Sequence, residues 1–248
     1  MKKSNKKYTI LDFIILDLLA HINPKFFILE EKNINQTQNT DKKNLNKYNK
    51  LFTGISHAYK KVLRYEFFFN EFYPNTKKIS NQEALEHHIH AYLEDLDIFR
   101  NKIINFIGNL KNDFKKIAIN KKEIDSVFRS LIENIKKIFE NVSENRNPHH
   151  HHDLKFIDGD LIDSETAFTM VKQREIVREY IKPELWKIIE QRSVESFEKA
   201  KKKWIIRARN NSSQITIFIN EFFDNMKPHI YNLLSIKQIF NPINDKRI

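Results

Sequence analysis

Residues 80–119 read SNQEALEHHIHAYLEDLDIFRNKIINFIGNLKNDFKKIAI, and the spacing of their apolar side chains sets the fold class. Leu85, Ile89, Tyr92, Leu93, Leu96, Phe99, Ile103, Phe106, Ile107 and Leu110 recur three and four residues apart, the repeat of a single helix face. Ser80 and Glu83 have the form of a capping box, in which each side chain satisfies a free amide at the helix start. A long helix to about Ile119 is therefore predicted. Near its start, His87 and His90 share a face, while His88 can pair with Glu86 or with a neighbouring helix. Two histidines three apart can ligate a metal, but no third ligand is marked, so packing or a surface role is the favoured reading.

The same period continues in both directions. Upstream, Tyr8 to Ile22 places Ile10, Leu11, Ile14, Ile15, Leu18, Leu19 and Ile22 on a stripe, with Asp12 and Asp17 off it, and Asn23-Pro24 stops the helix. Glu30 to Asn44 is polar and reads as a loop. Leu45 to Tyr73 reads as one further helix, ended by Pro74. Downstream, Lys121 to Val142 repeats the pattern through Ile124, Val127, Phe128, Leu131, Ile135, Ile138 and Phe139. Leu154 to Ile162 contains Asp158-Gly159 between short apolar pieces, a tight hairpin or simply a loop. Asp163 or Ser164 is the expected cap of a helix through Ala167, Val171, Ile176, Val177 and Ile181, stopped by Pro183. A helix then begins at Leu185 to Ile189, Val194 to Phe223 forms another, and Pro228 and Pro242 punctuate a short tail. The expected architecture is all-α, an elongated bundle of long antiparallel helices. Residues 1–44 supply an N-terminal helix and polar loop, residues 45–248 form the bundle, and 143–164 is its weakest seam.

Composition agrees with helices and narrows the chemistry. The 248 residues are 40% hydrophobic with 20 Phe, enough for a real core, and only three Gly and six Pro leave few turn punctuators for an all-β fold. There is no Cys, so disulfides, thiolate zinc sites and thiol catalysis are excluded, and a reducing cytoplasm is the expected compartment. Forty-three basic against 32 acidic residues give a net charge of +11, which attracts RNA or another polyanion whatever the fold. The apolar segment Ile10 to Ile22 is interrupted by two aspartates and falls short of a bilayer span, so no membrane attachment is expected. No Gly-rich phosphate loop, Ser-His-Asp spacing or HExxH helix is present, and no cofactor is implied.

Chemistry concentrates at Ser143 to Leu154, SENRNPHHHHDL, where one arginine, two asparagines, a proline and four consecutive histidines interrupt the helical pattern. Arg146-Asn147 is followed by His151 after four residues and by His152 after five. Arg100-Asn101 and Arg209-Asn210 have no histidine at that distance. An arginine, a polar residue and a histidine so spaced on the later part of a helical bundle resemble the motif of the HEPN superfamily of helical nucleotide-handling proteins, over roughly Gln82 to Tyr180. The resemblance implies metal-independent RNA cleavage, in a toxin or phage-defence setting, by a homodimer in which two motifs meet. Arg146 would clamp phosphate oxygens and stabilise transition-state charge, His151 or His152 would move the proton, and Asn147 would orient phosphate or histidine. Pro148 departs from the pattern: it lacks an amide hydrogen and pushes Asn147 out of the helical region, so Arg146 and His151 need not lie one turn apart on a continuous helix.

Two other readings stay open. His149, His151 and Asp153 supply imidazole and carboxylate ligands suited to a divalent metal. A non-catalytic helical interaction module would need none of this chemistry. The basic run Lys199, Lys201, Lys202, Lys203, Arg207 and Arg209 around Trp204 fits nucleic-acid contact with a stacking indole, and fits equally a solvated helix face with Trp204 in the core.

Overall fold

The computed structural model describes residues 8–23, 41–75, 78–139 and 158–240. Among them the protein is an all-α helical bundle without strands. Its helices are α1 (Ile10–Ile22), α2 (Lys42–Val62), α3 (Tyr65–Glu71), α4 (Asn81–Ile117), α5 (Lys121–Ile138), α6 (Gly159–Lys172), α7 (Arg174–Val177) and α8 (Leu185–Leu234). A single turn of tighter helix, Arg178–Tyr180, follows α7. The chain gathers into two compact units. One takes its described residues from 1–60, 98–138 and 213–248, the other from 61–97 and 139–212.

In the first unit α2 runs antiparallel to α4 and α8. Lys47 meets Asp113 at 2.6 Å while Tyr59 packs on Phe99, and Phe52 packs on Phe223 while the Tyr59 hydroxyl bonds Thr216 at 2.9 Å. The core is aromatic. Phe52, Phe106 and Phe223 are fully buried, with ring centroids 4.9–5.6 Å apart. Each such ring contributes about 1.5–3 kcal/mol of burial, and mutual ring contact adds to it. Thr9 and Asp12 form the capping box that starts α1. Asp17, expected off the apolar stripe, is instead fully buried. It accepts hydrogen bonds from the Tyr231 hydroxyl and from the amides of Ile239 and Phe240, so a carboxylate on the inner face is held by donors from the chain's later end. On α5, Asp125 takes both Lys111 and Lys115 at 2.7 Å, beside the Phe114–Phe128 ring pair.

The second unit is built on Tyr65, Phe69, Tyr92 and Trp204, all buried. The Tyr65 and Tyr92 rings lie 5.0 Å apart, Phe69 and Trp204 6.0 Å. Asp95 receives the Tyr65 hydroxyl and the Lys61 ammonium, and Asn211 donates to the Tyr92 hydroxyl at 2.9 Å. A buried chain of donors runs from the Gln82 amide to the Ser164 hydroxyl and on to the Ser193 carbonyl.

Several boundaries differ from expectation. The helix expected over Leu45 to Tyr73 breaks after Val62, where the Arg64 amide bonds the Lys61 carbonyl in a tightened turn. No Pro or Gly causes this; Tyr65 and Phe69, four apart on the helix that follows, share its buried face. The hairpin expected at Asp158-Gly159 is a helix start: Asp158 is extended and its side chain accepts the amides of Asp160 and Leu161, so it, and not Asp163 or Ser164, caps α6. Lys42 to Asn44, expected in a loop, already belong to α2, with the Asp41 carboxylate accepting the Lys43 amide. The helix expected to reach Ile181 ends at Lys172. Finally, α8 is one 50-residue helix that passes through Pro228, where two helices and a tail were expected. Pro228 cannot donate to Asp224, but its neighbours Lys227 and Ile230 are buried and hold the turn.

Candidate functional site

Arg146, Asn147, His149, His151, His152 and Asp153 lie outside the described residues. The described chain reaches the segment that carries them from α5 and Phe139, which is buried, and leaves it at Asp158. That exit is tightly held. Asp158 is 2% exposed, with one carboxylate oxygen capping α6 while the other accepts the Trp204 indole N–H at 2.9 Å and the Lys203 ammonium at 3.0 Å. Lys199 reaches Asp160 at 2.7 Å, and this pairing raises the Lys199 ammonium above its ordinary pKa.

The basic run of α8 therefore divides by what each group touches. Trp204 is 2% exposed and its N–H is used by Asp158. Of the two readings, a ring offered to a base or Trp204 in the core, the structure shows the core one: the ring packs against Phe69 and Tyr92 and is not free to stack on a base. Lys203 is drawn to Asp158 and Asp160. Arg209 forms a 2.7 Å ion pair with Glu66, and the Arg207 guanidinium covers the Trp204 ring at 4.8 Å. Lys201 places its ammonium over the Tyr73 ring at 4.9 Å, and Lys202 is exposed. Only part of the run is available to a ligand's phosphates.

The α4 histidines do not converge on a metal. His88 bonds the Phe72 carbonyl through Nε2 at 2.6 Å and His90 lies 3.7 Å from Glu86. Among the described residues no group of three His, Cys, Asp or Glu side chains could hold a metal ion, and no helix is long and apolar enough to cross a membrane. What sequence reasoning missed is the aromatic setting of His88. Its ring is stacked on Phe68 at 6.2 Å and lies 6.0 Å from both Phe72 and Tyr73. The density of rings in YEFFFNEFY, residues 65–73, was the available signal.

Three concavities add to the picture. One of about 660 Å³ lies among Leu63, Glu66, Phe67, Asn70, Glu71, Ile205 and Arg209. A polar hollow of about 290 Å³ is lined by residues including Glu83, Glu86, Glu165 and Lys172, a charge pattern unsuited to phosphate. An apolar one of about 230 Å³ is walled by Phe114, Ile124, Val127, Phe128, Leu131, Met226 and His229.

No family pattern, curated protein or solved structure matches this chain.

Proposed function

We propose that this chain is a HEPN-like helical protein that binds RNA and cleaves it without a metal, acting in the cytoplasm as a homodimer. The observation that carries the reading is the spacing of Arg146-Asn147 to His151 and His152 on a basic chain, together with its resemblance to the HEPN motif. In this chemistry the ribose 2′-oxygen attacks the adjacent phosphorus and the 5′-oxygen leaves, giving a 2′,3′-cyclic phosphate and a free 5′-hydroxyl. Arg146 stabilises the charge on the phosphoryl oxygens. His151 or His152 takes the 2′-hydroxyl proton, and a proton is returned to the leaving oxygen. Asn147 orients phosphate or imidazole.

The test is incubation with mixed RNA in the presence of a chelator. Cleavage by the wild type, lost in Arg146→Ala and in His151→Ala, is the expected result. Cleavage unchanged in both variants would overturn the assignment. A second reading, a non-catalytic helical interaction module, is favoured by the apolar hollow between Phe114 and Met226, where Val127 remains 59% exposed. Intact RNA together with metal bound in a His149→Ala-sensitive way would point instead to the divalent-metal role of His149, His151 and Asp153.

A further inference from the structure

The second unit carries an exposed aromatic surface that the motif does not use. Phe72, just past the end of α3, is 62% exposed although Phe is among the residue types usually buried. Its ring sits 5.7 Å from Phe68 and 6.0 Å from His88, which is in turn 6.1 Å from the exposed His87 and 6.0 Å from Tyr73. Lys201 lies over the Tyr73 ring, its ammonium 4.9 Å from the centroid, Phe197 meets the same ring edge-on at 5.7 Å, and the next residue on α8, Lys202, is exposed. An exposed ring backed by other rings, with a cation nearby, matches what single-stranded nucleic acid requires: a π surface for a base and positive charge for the backbone. Duplex, whose bases are stacked on one another, offers only phosphates.

We propose that Phe72, backed by Phe68 and His88 and with Lys201 nearby, is a stacking platform for single-stranded RNA; the proposal rests on the RNA reading above and names the form of RNA it takes. Glu71 and Glu198 border the same face, Glu71 accepting the Asn70 amide and Glu198 close enough to Tyr73 to be felt by its phenol. Charge alone therefore does not make the site, and stacking carries the discrimination between single strand and duplex.

The experiment is anisotropy of a fluorescent unstructured RNA, and of the matching duplex, with the full chain. The wild type is expected to prefer the single strand. Phe72→Ala is expected to weaken single-strand binding by about tenfold, the effect of removing one stacked base, and to leave duplex binding unchanged. Phe72→Trp restores it. Lys201→Ala lowers the salt slope of binding by about one. Because Phe72 is exposed, an unchanged thermal melt identifies the loss as one of contact and not of folding. Wild-type single-strand binding that Phe72→Ala does not alter overturns the platform and leaves the RNA reading standing. Wild type that binds neither RNA overturns both.

Discussion

Asp113 shows how much a single carboxylate can hold. It accepts from the Lys47 and Lys116 ammonium groups at 2.6 Å each and from the Tyr48 hydroxyl at 2.9 Å. Burial by itself would raise its pKa, but the bonds from Lys116, Lys47 and Tyr48 outweigh burial and hold it down at about 2. Burial and the same carboxylate push the Tyr48 phenol up. The sign follows from linkage. A folded pKa below the unfolded value of 3.8 means that the stabilisation is fully present above that value and disappears as pH falls through about 2. Asp113→Asn is expected to cost about 1–3 kcal/mol at neutral pH. The difference from wild type in urea unfolding should shrink as pH is lowered from 5 to 2; a difference independent of pH would contradict the assignment. Nothing in the sequence pairs Asp113 with Lys47, which lies 66 residues earlier. Asp17 was equally illegible: its spacing suggested solvent, and only donors beyond residue 230 explain its burial.

At the scale of the element, α6 depends on one residue. Asp158 caps the helix and also accepts the Trp204 indole and the Lys203 ammonium. Asp158→Ala is expected to cost about 2–4 kcal/mol, the loss of a cap plus a buried indole N–H left unsatisfied. Asp158→Asn keeps the cap and should cost less. The denaturation midpoint orders the three proteins, and the fluorescence of Trp204 reports the change in its surroundings. Equal midpoints for the two variants would mean that the cap does not hold α6. The sequence pointed to Asp163 and Ser164 because both residue types cap helices. Ser164 instead faces inward and donates to Ser193, a destination that local propensity does not encode.

For the whole molecule the net charge of +11 is the dominant property, even though many individual bases are engaged. Lys199, Lys203 and Arg209 on α8 and Lys111 and Lys115 beside α5 all meet carboxylates. Pairing places the charges without removing the excess. RNA affinity should therefore fall steeply between about 50 and 200 mM salt, with a logarithmic slope that counts phosphate contacts. An affinity indifferent to salt would mean that the binding surface is apolar, and would favour the interaction-module reading.

The sequence by itself determined the helices, because a period of three and four is a local property of the chain that any apolar core converts into burial. It also offered Arg146, His151 and His152 as a candidate motif, on their spacing alone. Tertiary structure alone decided where helices break and which polar groups turn inward. The helix breaks after Val62 with no Pro or Gly to mark it, and α8 continues through Pro228 because packing on either side outweighs one lost hydrogen bond. Trp204 illustrates the division most clearly. Its basic neighbours on α8 fitted both a ring offered to a base and a ring in the core, and what decides for the core is a carboxylate 46 residues earlier that reaches its N–H only through the fold.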